Sequence, residues 1–246
     1  MGSSWTNSKL QRARTQRIRT LRVRAFRAVD DVNMSKRFSE AHHEILQNHG
    51  ITKLSSLSTD WMDDPDVYVI VITSPSGHKI YAGARVHVYR EGRPLPLQLV
   101  MREFDPRTDE IFEKFAEEGV GEFCALWSSV EIAGLGINGK DLVKCGWSMC
   151  DHLGIRRMVA LLSPLTKRWM KDLALVKCEA LGTEGEIPYP DHRFISTVTT
   201  YKHPEGREEL KDEFLAEVID LQNNPQQKKQ TSGIKGTVSV HFDLLK

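Results

Sequence analysis

The sequence predicts a mixed α/β fold with a partly parallel central sheet and helices on both of its faces. Three observations lead there. Short β-branched and aromatic runs alternate along the chain with segments of helical spacing. One of these runs, VYVIVIT at 67 to 73, is apolar enough to be covered on both sides. The element order, with single helices set between strands, is that of a mixed sheet rather than of a helical bundle or a sandwich.

Taken in order, residues 1 to 16 are polar and lack periodicity, and they are expected to form a flexible basic arm. Residues 20 to 26 interleave Leu21, Val23 and Phe26 with Arg22, Arg24 and Arg27, close to the period of two of a half-buried strand. Asp30 and Asp31 offer an N-cap, and Met34, Phe38, Ala41 and Ile45 recur at helical spacing before Gly50. His42, His43 and His49 ride on that helix, with no carboxylate pattern to complete a metal site.

A hairpin is expected from 67 to 73 and 80 to 90, joined by the turn residues Ser74, Pro75, Ser76 and Gly77. Pro94, Pro96 and Pro106 make 91 to 107 read as a loop, and Thr108 then caps a short helix ended by Gly119. A strand at 121 to 132, a glycine-rich loop at 133 to 139, a helix at 140 to 153 closed by Gly154 and a buried strand at 155 to 163 follow. Pro164 opens a helix through 174, and 176 to 181 and 194 to 201 read as strands. Leu210, Phe214, Val218 and Leu221 mark a helix, 222 to 233 a polar linker and 236 to 245 a final strand. The expected organisation is an arm at 1 to 16, a domain at 17 to 203, and a helix and strand at 204 to 246 packed on it.

Composition narrows the class. The chain of 246 residues is 40% hydrophobic and 27% charged, which fits neither a disordered chain nor a membrane protein. No run of about 18 apolar residues occurs, and no apolar block follows the basic start, so a cytoplasmic location is expected. Net charge is +1, yet the first 29 residues hold Lys9 and arginines 12, 14, 17, 19, 22, 24 and 27 with no acid. That segment carries +8 and leaves an acidic body, a pattern that can mark contact with nucleic acid or an acidic protein. No helix-turn-helix, zinc motif or aromatic strip accompanies the arginines, so nucleic acid is disfavoured. Met1 to Thr6 formally fits a myristoylation pattern that is also a common artificial start. Cys124, Cys145, Cys150 and Cys178 form no CxxC pair and read as reduced buried thiols.

The informative stretch is GEFCALWSSVEIAGLGINGKDL at 121 to 142. A strand running through a glycine-rich loop into a helix turns backbone N–H groups toward a positive helix terminus, where a phosphate can sit. Gly134 and Gly136 lack the third glycine of a dinucleotide fingerprint, and Asp141 follows Gly139-Lys140 where a Walker loop has Ser or Thr.

This arrangement resembles the GCN5-related N-acetyltransferase (GNAT) superfamily, in which the fourth strand leads into a pyrophosphate loop of pattern R/Q-x-x-G-x-G/A, then a helix and the fifth strand. Here the loop is Ala133-Gly134-Leu135-Gly136-Ile137-Asn138, departing from the pattern at Ala133 and Asn138. The resemblance spans about three quarters of the chain. It implies a site for acetyl-CoA or another acyl-CoA, and no metal. The fourth and fifth strands would splay around the pantetheine arm, which pairs with main chain near Val130 and Ile132. The amides of Gly134, Leu135, Gly136, Ile137, Asn138 and Gly139 would hold the pyrophosphate with help from Lys140, and Ser163 and Thr166 would contact the pantetheine.

The implied reaction is transfer of an acetyl or longer acyl group to an amine, assisted by a carboxylate base. Glu122 and Glu131 are the candidates for that base. The family's tyrosine acid on the helix after the fifth strand has no counterpart, since Trp169 lies there, and Tyr189 and His192 are the substitutes. Phe123, Leu126 and Trp127 are similar to the branch that makes N-acyl amino acids and acyl-homoserine lactones, although Ala125 stands where that branch has Arg. An acyl-carrier protein donor, docking through basic residues, and a non-catalytic CoA-fold module are the alternatives. The last strand, 236 to 245, is a candidate for pairing across a homodimer.

Overall fold

A computed structural model describes residues 18–48, 50–51 and 58–245. The arm predicted at 1 to 16 and His49 therefore lie outside the described residues. The remaining chain forms a mixed α/β structure on a ten-stranded sheet of order β6-β8-β5-β4-β3-β2-β1-β10-β9, with β7 paired on β8.

The first strand, β1 (Thr20–Arg27), sends Leu21, Val23 and Ala25 to one face of the sheet. Its arginines are neutralised locally: Arg22 pairs with Asp243, Arg24 with Asp31 and Arg27 with Asp30. α1 (Val32–Asn48) starts where Asp31 accepts from the Met34 amide, and it lays Met34 and Phe38 on the opposite face. The hairpin of β2 (Val67–Thr73) and β3 (Ile80–Val88) is central, as the apolar run of β2 requires.

The segment 91 to 107 is more than a loop. It holds α2 (Pro96–Met101), because Pro96 occupies the first helical position, where its missing N–H costs nothing and its fixed φ fits. α3 (Thr108–Glu118) follows and ends at Gly119, and with α2 it covers the same face as α1. β4 (Val120–Ser128) is shorter than predicted, so Val130, Glu131 and Ile132 belong to the connecting turn. α4 (Gly139–Ser148) and α5 (Cys150–Leu153) cover the other face, and Gly154 closes α5 in the left-handed region. β5 (Arg157–Leu162) then runs parallel to β4.

After β5 the helix predicted to reach 174 is only α6 (Pro164–Lys167), with a separate 3-10 turn before the left-handed Ala174. β6 (Val176–Lys177) and β7 (Glu186–Pro188) are short edge pieces on β8 (Ile195–Lys202). α7 (Asp212–Asn223) joins α4 on its face of the sheet.

The predicted polar linker is in fact mostly strand, β9 (Gln226–Gly233), paired antiparallel with β10 (Gly236–Asp243). β9 borders solvent on one side, so QQKKQTSG needs no apolar residue, and its lysines blunt an otherwise open edge. β10 is held between β9 and β1, the latter in parallel. Its hydrogen-bonding edges are thus occupied within the chain, and among the described residues the strand at this end of the sheet is β9.

Candidate active site

Two strands part where the chemistry was expected. β4 and β5 pair only from Val120 opposite Arg157 to Glu122 opposite Val159, yet β4 continues to Ser128 and β5 to Leu162. Beyond Glu122 the two strands form a fork. On the far side of β4 the register with β3 slips by one residue between Gly83 and Arg85, and Ala125 there has φ +51°. A bulge of this kind bends and twists the strand that carries it, which turns the end of β4 away from β5.

Glu122 sits at the vertex of the fork. It is 3% exposed, and the amide of Leu97, in the first turn of α2, donates to its Oε2 at 2.7 Å. Burial pushes its carboxyl up to about 7, against the opposing pull of the Leu97 amide and the Arg85 charge. Arg85 and His87 project from β3 on the same face, opposite Cys124 and Glu122 respectively. Arg85 is buried with its guanidinium carbon 4.4 Å from the Trp61 ring centroid. His87 is also buried, and burial together with Arg85 holds it neutral, well below the usual histidine range. His42 of α1, stacked near Phe38, is lowered to about 4 by burial and then by Arg85. Burial and Glu122 push the Cys124 thiol up to about 12, so it is a protonated thiol and not a nucleophile.

Glu131 is placed differently from Glu122. It lies in the turn after β4 and ion-pairs with Lys79 at 2.6 Å, half exposed. Val130 is exposed and Ile132 fully buried, and their carbonyls accept from Ala133 and Leu135 within the turn. The main chain opened by the fork is that of residues 123 to 128 and 160 to 162 instead.

The glycine loop is heavily engaged by the chain itself. Gly134 and Gly136 have φ near +80°. The hairpin tip of β9 and β10 rests on them: Thr231 donates to the Gly136 carbonyl at 2.6 Å and the Lys235 amide to the Gly134 carbonyl at 2.8 Å. A Cβ on Gly136 would come 2.5 Å from the Ser232 carbonyl oxygen. At the start of α4, Asn138 and Asp141 form a capping box, with the Asn138 amide donating to Asp141 at 2.7 Å. Leu135 and Ile137 turn into the core. Lys140 is bound to Asp172 at 2.6 Å, and the Trp169 ring lies against Gly139, where a Cβ would meet it at 3.2 Å.

Beyond the end of β5, Ser163 caps α6 by accepting from the Thr166 amide, and the two hydroxyls bond to each other. Tyr189 packs against the cluster on the Glu122 face that includes Leu97, Val159 and Ile187, whereas His192 is exposed. Glu122 and Tyr189 are therefore brought to one face, and Glu131 is apart from them. Arg85 and His87 were not singled out from the sequence. The signal was available, since polar residues at spacing two in IYAGARVHV oppose Ala82, Ala84, Val86 and Val88 on the other face of a buried strand. Among the described residues, no group of His, Cys, Asp and Glu could hold a metal ion, and no helix is long and apolar enough to cross a membrane.

No protein-family model matches the chain, and no curated protein matches its sequence. Solved structures do match. FeeM, an N-acyl amino acid synthase from uncultured soil microbes, aligns with TM-score 0.57 at 12% identity, over 78% of this chain and 96% of its own. BjaI, a CoA-dependent acyl-homoserine lactone synthase, aligns with TM-score 0.49 at 14% identity, over 82% and 89%. ElaA of Escherichia coli gives 0.48 at 9%, over 73% and 98%. The match to FeeM gives the chain a GNAT-like fold, and its fourth and fifth strands are forked as the resemblance implied.

Proposed function

We propose that the protein is an N-acyltransferase that moves an acetyl or longer acyl group from an acyl-CoA thioester to an amine, with Glu122 as general base. The observation that carries this reading is a buried carboxyl, raised to about 7, at the vertex of a strand fork. A carboxylate of ordinary pKa is a weak base at neutral pH, and burial raises this one to where half of it is ionised and its proton affinity matches the task. The donor's pantetheine arm lies in the fork against the free main chain of β4 and β5. The amine enters from the face that carries α1 and α2. Its nitrogen attacks the thioester carbonyl, Glu122 takes the proton, the C–N bond forms, and the C–S bond breaks to release the thiolate, which is then protonated. Free β4 amides beyond Glu122 are suitably placed to polarise the carbonyl. Tyr189 is the proposed proton source for the thiolate.

A second reading concerns the donor's carrier, and the glycine loop favours it. Residues 134 to 139 bear a docked hairpin and the Asp141 carboxylate, and Lys140 is already neutralised by Asp172. These features suit a pyrophosphate poorly. A donor delivered on an acyl-carrier protein presents the same pantetheine arm without the adenosine diphosphate, and it fits the fork equally well.

Calorimetric titration with acetyl-CoA, decanoyl-CoA and decanoyl-pantetheine separates these readings. Comparable affinity for the last two supports the carrier-borne donor, and tighter binding of the CoA ester supports the first. Binding to none of them sinks the acyltransferase reading. With a donor that binds, Glu122→Gln is expected to lower kcat by about 10²–10⁴-fold while donor affinity stays within a few-fold.

A further inference from the structure

Past the fork the chain leaves β4 through the glycine loop into α4, and one ring from the β5 side lies against the start of that helix. Trp169 follows α6 and is held by main chain on both sides. Its amide donates to the Thr166 carbonyl at 2.9 Å, and its carbonyl accepts from the Leu173 amide at 3.0 Å. A Cβ built on Gly139, the first residue of α4, would have Cη2 of Trp169 3.2 Å away, Cζ3 3.4 Å away and Leu126 Cδ1 at 3.7 Å. Side chains leave a helix tilted toward its N-terminus, so the six-membered edge of the indole sits beside that terminus. Leu126 belongs to the unpaired part of β4. The ring therefore reaches from the β5 side to a β4 side chain.

The start of a helix is where a phosphate would be held, because unbonded N–H groups and the helix dipole favour an anion there. At α4 the neighbouring positions are already taken. Asn138 accepts from the Lys140 amide at 2.9 Å, and Asp141 accepts from the Asn138 amide at 2.7 Å. Lys140 Nζ lies 5.8 Å from the centre of the Trp169 ring and is bound to Asp172, which Lys211 also pairs at 2.9 Å. A pyrophosphate brought to this terminus meets the apolar edge of an indole and the charge of Asp141.

We infer that Trp169 determines donor specificity: its ring bars the nucleotide end of a CoA ester and leaves the fork to a pantetheine arm borne on a carrier. The inference rests on the proposed acyltransferase reading, in its carrier-borne form. An acyl-pantetheine needs only the main chain of residues 123 to 128 and 160 to 162. A CoA ester must in addition take two phosphates and a nucleoside past the start of α4. Of the groups gathered there, the indole is the one that can be trimmed without altering the loop or the capping box.

Calorimetric titration of the native chain and of Trp169→Leu with decanoyl-CoA and decanoyl-pantetheine is the test. Leucine keeps an apolar contact for Leu126 and removes the indole edge over Gly139. The variant is expected to bind decanoyl-CoA about ten-fold tighter or more than the native chain does, as small steric changes in a site can give, while decanoyl-pantetheine changes by less than about two-fold. Unchanged or weaker binding of decanoyl-CoA, with the pantetheine ester still bound, overturns the inference and leaves the acyltransferase reading intact. A matching loss for both esters makes the ring a part of the arm's own site and overturns it as well. Binding of neither ester to either protein overturns the acyltransferase reading itself. If Trp169→Leu fails to fold, the native chain still decides. Decanoyl-CoA is then expected to bind no tighter than decanoyl-pantetheine, and a CoA ester bound about ten-fold tighter overturns the inference.

Discussion

The burial of Glu122 has a consequence for stability that needs no substrate to observe. Its carboxyl is raised from 4.5 to about 7, so the folded protein holds this proton more tightly than the unfolded chain does. Between those two values the unfolded chain has released its proton and the folded protein has not. Stability therefore falls as pH rises through that window and stays low above it. At 1.36 kcal/mol per unit, the ionised carboxylate costs about 3 kcal/mol of stability by pH 8. This net figure already includes the attraction of Arg85 and the Leu97 amide, which act against the burial.

Glu122→Gln keeps the size of the side chain and an oxygen for the Leu97 amide, and it has no charge to bury. At pH 5 the variant and the native protein are expected to melt within about a degree or two of each other. At pH 8 the variant should melt higher by roughly 6–12 °C, at about 2–4 °C per kcal/mol for a chain of this size. Thermal unfolding followed by circular dichroism at the two pH values reads the difference. An offset that is the same at pH 5 and pH 8, or a variant that melts lower at both, would refute the claim that Glu122 is held protonated by burial. The expected result is a protein made more stable by removal of the proposed base, the pattern of a group kept for chemistry rather than for stability.

Three further outcomes are expected. Gly136→Ala places a Cβ 2.5 Å from the Ser232 carbonyl oxygen at a φ of +80°; it should cost about 2 kcal/mol and speed amide hydrogen exchange selectively across residues 226 to 243, whereas unchanged exchange there would mean that the hairpin does not dock on the loop. Lys140→Ala separates the two donor readings by titration, since its partner Asp172 already absorbs its charge: under the carrier-borne reading decanoyl-CoA affinity changes less than about two-fold, and a ten-fold loss, near 1.4 kcal/mol, returns the loop to pyrophosphate binding. Asp151 of α5 joins Arg156, His203 just after β8, Arg207 and Gln222 of α7, and these partners hold its carboxyl well below the usual range. Asp151→Asn should therefore cost on the order of 1–2 kcal/mol at pH 7, discounted for partial exposure; this stabilisation is full above the ordinary carboxylate range and is lost as pH falls toward the depressed value, so the gap in melting temperature must narrow in acid.

Legibility in the sequence followed the locality of each cause. The strands at 20, 67, 80 and 195, the helices at 32, 108 and 212 and the glycine stops at 119 and 154 each rest on patterning within one segment, and these recur in the structure with small shifts at their ends. β9 escaped because an edge strand can be wholly polar, so hydrophobic alternation carries no trace of it. Glu122 could be singled out, but Arg85 and His87 gain meaning only from lying opposite Cys124 and Glu122, pairings 39 and 35 residues apart along the chain. Gly134 and Gly136 were recognisable as positions that demand glycine. Which neighbour makes that demand was not, because the Ser232 carbonyl that fills the space comes from a hairpin nearly a hundred residues later.

The absence of any family-model match sits beside a clear likeness of fold, and the site itself accounts for both. The fork is opened by where pairing between β4 and β5 stops and by one bulge at Ala125, features of main chain that many sequences can form. Groups that recognise a ligand through such strands are backbone N–H and C=O, which every residue but proline supplies alike. Selection on such a site falls on few side chains: a carboxyl at the vertex, small residues where chains cross closely, and the helix that seals the carboxyl. On the proposed reading, those in this chain are Glu122, Gly121 against Ile155 and the His87 carbonyl, Gly146 against Phe123, and the Pro96 start that presents the Leu97 amide. A site with so few fixed side chains lets its sequence drift while its geometry holds. The residues to test are accordingly those at the vertex, where one buried carboxyl meets the amide that starts α2.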